Sequence, residues 1–126
     1  MTGYLDYFRA LANAPVRQWL TASLELQFTN FPEQGLATSI SDLEVWLYCQ
    51  ANNLYLITDN RNKTGDDSLE EVLRERNRAN SLPDFTVGDR NRLDHQRSYG
   101  ERLIEKLLEK LLDAEYHRGA GRLFVP

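Results

Sequence analysis

The chain has 126 residues, of which 41% are apolar and 27% charged, with a net charge of −4; this suits one globular domain that folds without disulfides and excludes an intrinsically disordered chain. The acidic balance gives no global pull toward nucleic acid or anionic membranes, and a lone cysteine, Cys49, excludes an internal disulfide and suits a reducing compartment. No apolar run approaches the ~20 residues of a membrane span, and Met1 to Arg9 lack a basic-then-apolar signal pattern, so a cytosolic protein is expected.

Leu5, Phe8, Leu11 and Ala12 recur at helical spacing and predict a helix over 4–13. Pro15 ends it, because the residue before a proline is pushed out of helical geometry. Val16, Trp19 and Leu20 suggest a second short helical turn. Over 24–29 the pattern changes to strict alternation: Leu24, Leu26 and Phe28 on one side, Glu25, Gln27 and Thr29 on the other. That predicts a strand with one buried face. Ser41 and Glu44 have the spacing of a capping box and open a helix that runs to about Asn52, with Leu43, Trp46, Leu47 and Ala51 as its apolar face. Cys49 sits in this stretch and reads as a small buried hydrophobe. Asn52 and Asn53 suit a helix stop, since asparagine tolerates the left-handed conformation. The apolar run Leu54 to Thr58 then reads as a strand buried on both faces of a parallel sheet.

Residues 63–67 are a polar loop. From Asp67 and Ser68 a charged helix runs to about Arg78, with Leu69, Val72 and Leu73 as its buried side. Phe85 to Val87 predict a short strand, and 88–96 a polar loop. Residues 98–117 form the clearest helix, in which Leu103/Ile104, Leu107/Leu108 and Leu111/Leu112 repeat every four residues. Gly119 marks its stop, and Leu123 to Val125 a last strand. Strands alternating with helices imply a short, mainly parallel sheet. The expected architecture is therefore a three-layer α/β/α sandwich forming a single domain over 1–126.

The stretch from Gly35 to Asn62 contains Ser41-Asp42-Leu43-Glu44-Val45-Trp46 at a helix start and Leu56-Ile57-Thr58-Asp59-Asn60-Arg61-Asn62 at a strand end. It resembles the PIN-like domains of prokaryotic genomes, including small ones related to toxin–antitoxin ribonucleases. These show a helix beginning with Asp and a hydrophobic strand ending in Thr-x-Asp. The resemblance implies carboxylates converging at the C-terminal edge of the sheet, holding Mg²⁺ or Mn²⁺ for attack of water on an RNA phosphodiester. Such hard ions prefer oxygen ligands, and that edge is where open α/β sheets carry their sites. Carried onto this chain, the resemblance makes Asp42 and Asp59 the catalytic carboxylates, with Asp42, Asp59, Asn60 and Asp67 as metal ligands.

The chain departs from the pattern. Asn60, not an acid, holds the last position of Thr-x-Asp, and Asp59 falls one residue early. The opening strand of the family, with its acid, has no counterpart, because only Met1-Thr2-Gly3 precede the first helix. Either 24–29 moves across, another chain covers the gap, or the natural start lies upstream; a homodimer burying the exposed edge or the surface near Trp19 is expected. Each acid also has a structural reading. Asp42 complements a helix dipole, Glu44 completes a capping box, Asp66 is solvated loop, and Asp67 caps a helix. Arg74, Arg76, Arg78, Arg90, Arg92 and Arg97 read either as a phosphate-binding patch or as partners of Glu70, Glu71 and Glu75 on a solvated helix. His95 and His117 are too few and too far apart for a zinc site.

Three functions remain open on the sequence: a degenerate metal-dependent ribonuclease, a non-catalytic binding or interaction module on the same scaffold, and a subunit presenting the leucine-rich C-terminal helix to a partner protein.

Overall fold

The computed structural model describes residues 4–59 and 68–126. Helices α1 (Leu5–Ala12) and α2 (Gln18–Ser23) are followed by α3 (Asp42–Ala51), strand β1 (Ile57–Thr58), α4 (Leu69–Arg76), β2 (Asp84–Val87), α5 (Arg90–His95), α6 (Arg97–Leu112), a 3-10 turn (Ala114–His117) and β3 (Arg122–Val125). The fold is mixed α/β, with six α-helices around an all-parallel sheet in the order β1-β2-β3. Ile57 lies opposite Phe85, and Phe85 opposite Leu123.

Local chemistry sets the helix ends. Ser41 Oγ accepts from the Glu44 N–H at 3.2 Å and donates to Glu44 Oε1 at 3.0 Å, completing the capping box. At the other end of α3, Asn53 adopts φ +54° and the Leu54 N–H reaches back to Cys49 C=O at 2.9 Å. That bond closes a Schellman turn, which reverses the chain directly into β1. Helix α4 is capped by Ser68, whose hydroxyl accepts from the Glu71 N–H at 3.2 Å.

The core lies between α1, α6 and one side of the sheet. Leu103, Ile104, Leu107 and Leu108 of α6 are fully buried with Phe8, Leu11, Phe85, Val87 and Val125. These four residues of the leucine-rich helix face the interior, while Leu112 at its end is 55% exposed. A second cluster joins Trp46 of α3 to Leu69, Val72 and Leu73 of α4, with Leu43 and Leu56 against them.

Three expectations are corrected. Residues 24–29 are not a strand. Leu24, Leu26 and Phe28 do pack on the core while Glu25, Gln27 and Thr29 are exposed, but Glu25 takes φ +52° and no ladder forms. Alternation reported which side chains are buried, not which main chains pair. Residues 90–95, expected as loop, form α5, started by Asp89 Oδ1 accepting from the Arg92 N–H at 3.0 Å. A helix with Leu93 as its one buried residue carries no readable periodicity. Helix α6 stops at Leu112 rather than continuing to His117.

Gly119 is a turn that only glycine fits easily. Its φ is +84°, and an added Cβ would lie 2.7 Å from Ala79 C=O, a clash with main chain. Gly119→Ala is expected to lower stability by about 1–3 kcal/mol, read as a lower urea midpoint with an unchanged denaturant slope.

Candidate functional site

Asp42 is the first residue of α3 and Asp59 directly follows β1. Asp59 therefore stands at the end of the sheet where β1 finishes. Asn60 and Asp67, with Asp66, lie outside the described residues, as does the 63–67 loop.

Asp59 is held by a cation. Arg90 Nη1 donates to Asp59 Oδ2 at 2.9 Å. The same guanidinium donates through Nε to Tyr4 Oη at 3.3 Å, lies 4.0 Å from Asp94 Oδ2, and sits 5.7 Å from the centre of the Tyr4 ring. Tyr4 in turn donates to Asp94 Oδ1. Burial, reinforced by Asp94, holds the Tyr4 phenol above its usual pKa, so it stays a donor at neutral pH. Arg90 thus ties the start of α1, the end of β1 and helix α5 into one ionic group. Its charge offsets that of Asp59, which reduces the pull of this edge on a divalent cation. Among the described residues, no group of three or more His, Cys, Asp or Glu is arranged to hold a metal ion.

The sequence offered Arg90 as a phosphate-binding candidate but not as the partner of Asp59. The 31 residues between them hide that relation until the chain is folded. The other arginines are largely occupied. Arg74 pairs with Glu71 at 2.7 Å, Arg97 with Glu101 at 3.5 Å, and Arg92 lies 4.9 Å from the centre of the Tyr99 ring. Arg78 donates to the main-chain carbonyls of Glu75 and Asn77. Glu70, expected to serve its own helix, instead meets Arg122 on β3 at 3.4 Å. His95 Nδ1 lies 2.8 Å from Asn91 C=O, and His117 stacks edge-on against Tyr116.

The opposite end of the sheet holds a buried polar group that the sequence reading missed. Asp84, at the start of β2, is 2% exposed, and the Arg122 side chain beside it is 7% exposed. Arg122 Nε lies 3.9 Å from Asp84 Oδ1, to which Thr86 Oγ1 donates at 3.2 Å. Among the described residues, Asp84 Oδ2 and the three guanidinium nitrogens of Arg122 have no hydrogen-bond partner. Burial pushes the Asp84 carboxyl up to about 6; Arg122 and Thr86 oppose that shift without cancelling it, and Glu70 adds to it. Burial, aided by the charge of Asp84, also pushes the Cys49 thiol up to about 11, so Cys49 is not an activated nucleophile.

Among the described residues no helix is long and apolar enough to cross a membrane. No protein-family model, no curated protein and no solved structure matches the chain.

Proposed function

We propose that this chain is a PIN-like α/β/α domain whose acidic edge has lost metal-dependent RNA cleavage, and that it acts as a non-catalytic binding module. The observation that carries this reading is the 2.9 Å pair between Arg90 and Asp59. The residue that would supply a metal-binding carboxylate is given a permanent cation instead. The three-layer arrangement draws support from the way β2 divides its side chains. Phe85 and Val87 pack with α1 and α6, whereas Asp84 turns to Arg122 and, through it, to Glu70 of α4. A degenerate ribonuclease remains the second reading, because Asp42 opens α3 and Asp59 directly follows β1, as the resemblance requires.

Manganese titration by calorimetry separates the two. Wild type is expected to show no binding up to about 1 mM Mn²⁺. A dissociation constant near or below ~100 μM, abolished in Asp42→Asn/Asp59→Asn, would restore the ribonuclease reading and with it RNA as substrate.

A further inference from the structure

A hollow of about 280 Å³ lies between α4 and the chain entering β3, at the end of the sheet where the strands begin. Glu70, Leu73, Arg74 and Asn77 form one wall, because spacings of three and four residues keep them on one side of α4 and of the turn that follows it. Ala120 and Gly121 form the other wall, and Arg122 joins them.

This hollow brings together buried donors and acceptors that the fold itself leaves unpaired. The three guanidinium nitrogens of Arg122 have no hydrogen-bond partner among the described residues, and neither has Asn77 Oδ1. The Asn77 amide nitrogen is spent on Gly119 C=O at 2.7 Å, which leaves the oxygen as a spare acceptor. Glu70 Oε1 lies 3.4 Å from Arg122 Nη1, where its charge is felt but no hydrogen bond forms. Buried polar groups without partners are costly, and native structures keep few of them. Several of both kinds around one hollow call for a ligand that carries the complementary groups.

Charge decides the class of that ligand. A simple anion would meet Arg122 and Arg74, but also the carboxylates of Glu70 and, 3.9 Å from Arg122, of Asp84. A simple cation would meet the reverse conflict. A zwitterion meets neither. Its carboxylate matches the planar fork of donors that a guanidinium offers, and its ammonium matches Glu70 and Asn77 Oδ1. Leu73 and Ala120 supply an apolar flank. The volume falls just below the roughly 300–1,000 Å³ of sites for drug-sized ligands, which restricts the occupant to a few heavy atoms.

We propose that the hollow between α4 and β3 binds a small free α-amino acid with an apolar side chain, its carboxylate on Arg122 and its ammonium between Glu70 and Asn77. This inference goes beyond the state of the acidic edge. Asp59 stands at the opposite end of β1, so either reading can fail without the other.

The test is calorimetric titration of the full chain, in amine-free buffer, with L-alanine and L-valine. Acetate and ethylammonium serve as probes that carry only one of the two charges. Either amino acid is expected to bind with a dissociation constant below about 1 mM. Acetate and ethylammonium are expected to bind at least about tenfold more weakly, since each leaves one set of buried groups unpaired. The amide signals of Gly121 and of the Asn77 side chain are expected to shift in ¹⁵N spectra during the same titration. Ala120→Phe, at an exposed position of the wall, should fill the hollow and abolish binding. The ligand series needs no variant of the protein, so a folding defect cannot imitate failure. The proposal is overturned if neither amino acid binds up to about 10 mM, which would leave the hollow to water. It is also overturned if acetate or ethylammonium binds as tightly as the amino acids, which would make this a plain ion site, or if Ala120→Phe leaves the affinity unchanged.

Discussion

Replacing Arg122 by methionine is expected to destabilise the protein by about 3 kcal/mol or more at pH 7, and much of that loss is expected to vanish when Asp84→Asn is added. Arg122 is the one cation within 4 Å of both Asp84 and Glu70 among the described residues. Removing one member of a buried ion pair leaves the other charge desolvated and uncompensated, whereas removing both is often close to neutral. Urea denaturation of the two single variants and the double variant closes the cycle; losses that simply add would show that the pair does not interact. The same cluster sets a pH dependence. Asp84 titrates at about 6 in the folded chain against 3.8 ordinarily. A raised carboxyl means that the native state holds its proton longer than the unfolded state does. The Asp84 contribution is therefore most favourable below about pH 4 and is lost as pH rises through 6. The difference corresponds to about 3 kcal/mol between acid and neutral pH. Asp84→Asn should remove this part of the slope in denaturation midpoints measured from pH 4 to 8. An unchanged slope would show that Asp84 titrates normally.

Leu108→Ala is the second large effect, expected to lower stability by about 2–5 kcal/mol. Leu108 is fully buried where α6 meets the core cluster, so truncation leaves a cavity among side chains that are held on all sides. Leu112, four residues on, is 55% exposed, and Leu112→Ala should stay within about 0.5 kcal/mol of wild type. The contrast tests whether the leucine-rich helix serves the interior of this chain. Similar losses at both positions would mean that Leu112 is covered in solution.

What could be read in advance divides by physical range. The capping box at Ser41, the stop at Asn52 and Asn53, the buried trio Leu69, Val72 and Leu73, and the turn at Gly119 all depend on groups a few residues apart. Capping geometry, backbone freedom and helical periodicity act over that range, so the residues announce them. The hydrophobic side of 24–29 was legible for the same reason. Its failure to form a strand was not, because pairing depends on a neighbouring edge that only the assembled sheet can offer.

The acidic edge shows the same limit. Asp42 and Asp59 could be picked out as carboxylates at a helix start and a strand end. Arg90 was visible only as one arginine among several, since nothing local relates it to a residue 31 positions earlier. The buried group at the other end was hidden further. Asp84 and Arg122 stand at the starts of short strands, where charged residues normally meet solvent, and only the assembled fold buries them. By itself the sequence determined the mixed α/β class of the fold, the capped start of α3 and the buried side of α4, all consequences of short-range chemistry. Tertiary structure alone decided which charges meet, which carboxyl loses its solvent and which segments pair as strands, because Coulombic pairing, desolvation and ladder formation join residues far apart in the chain.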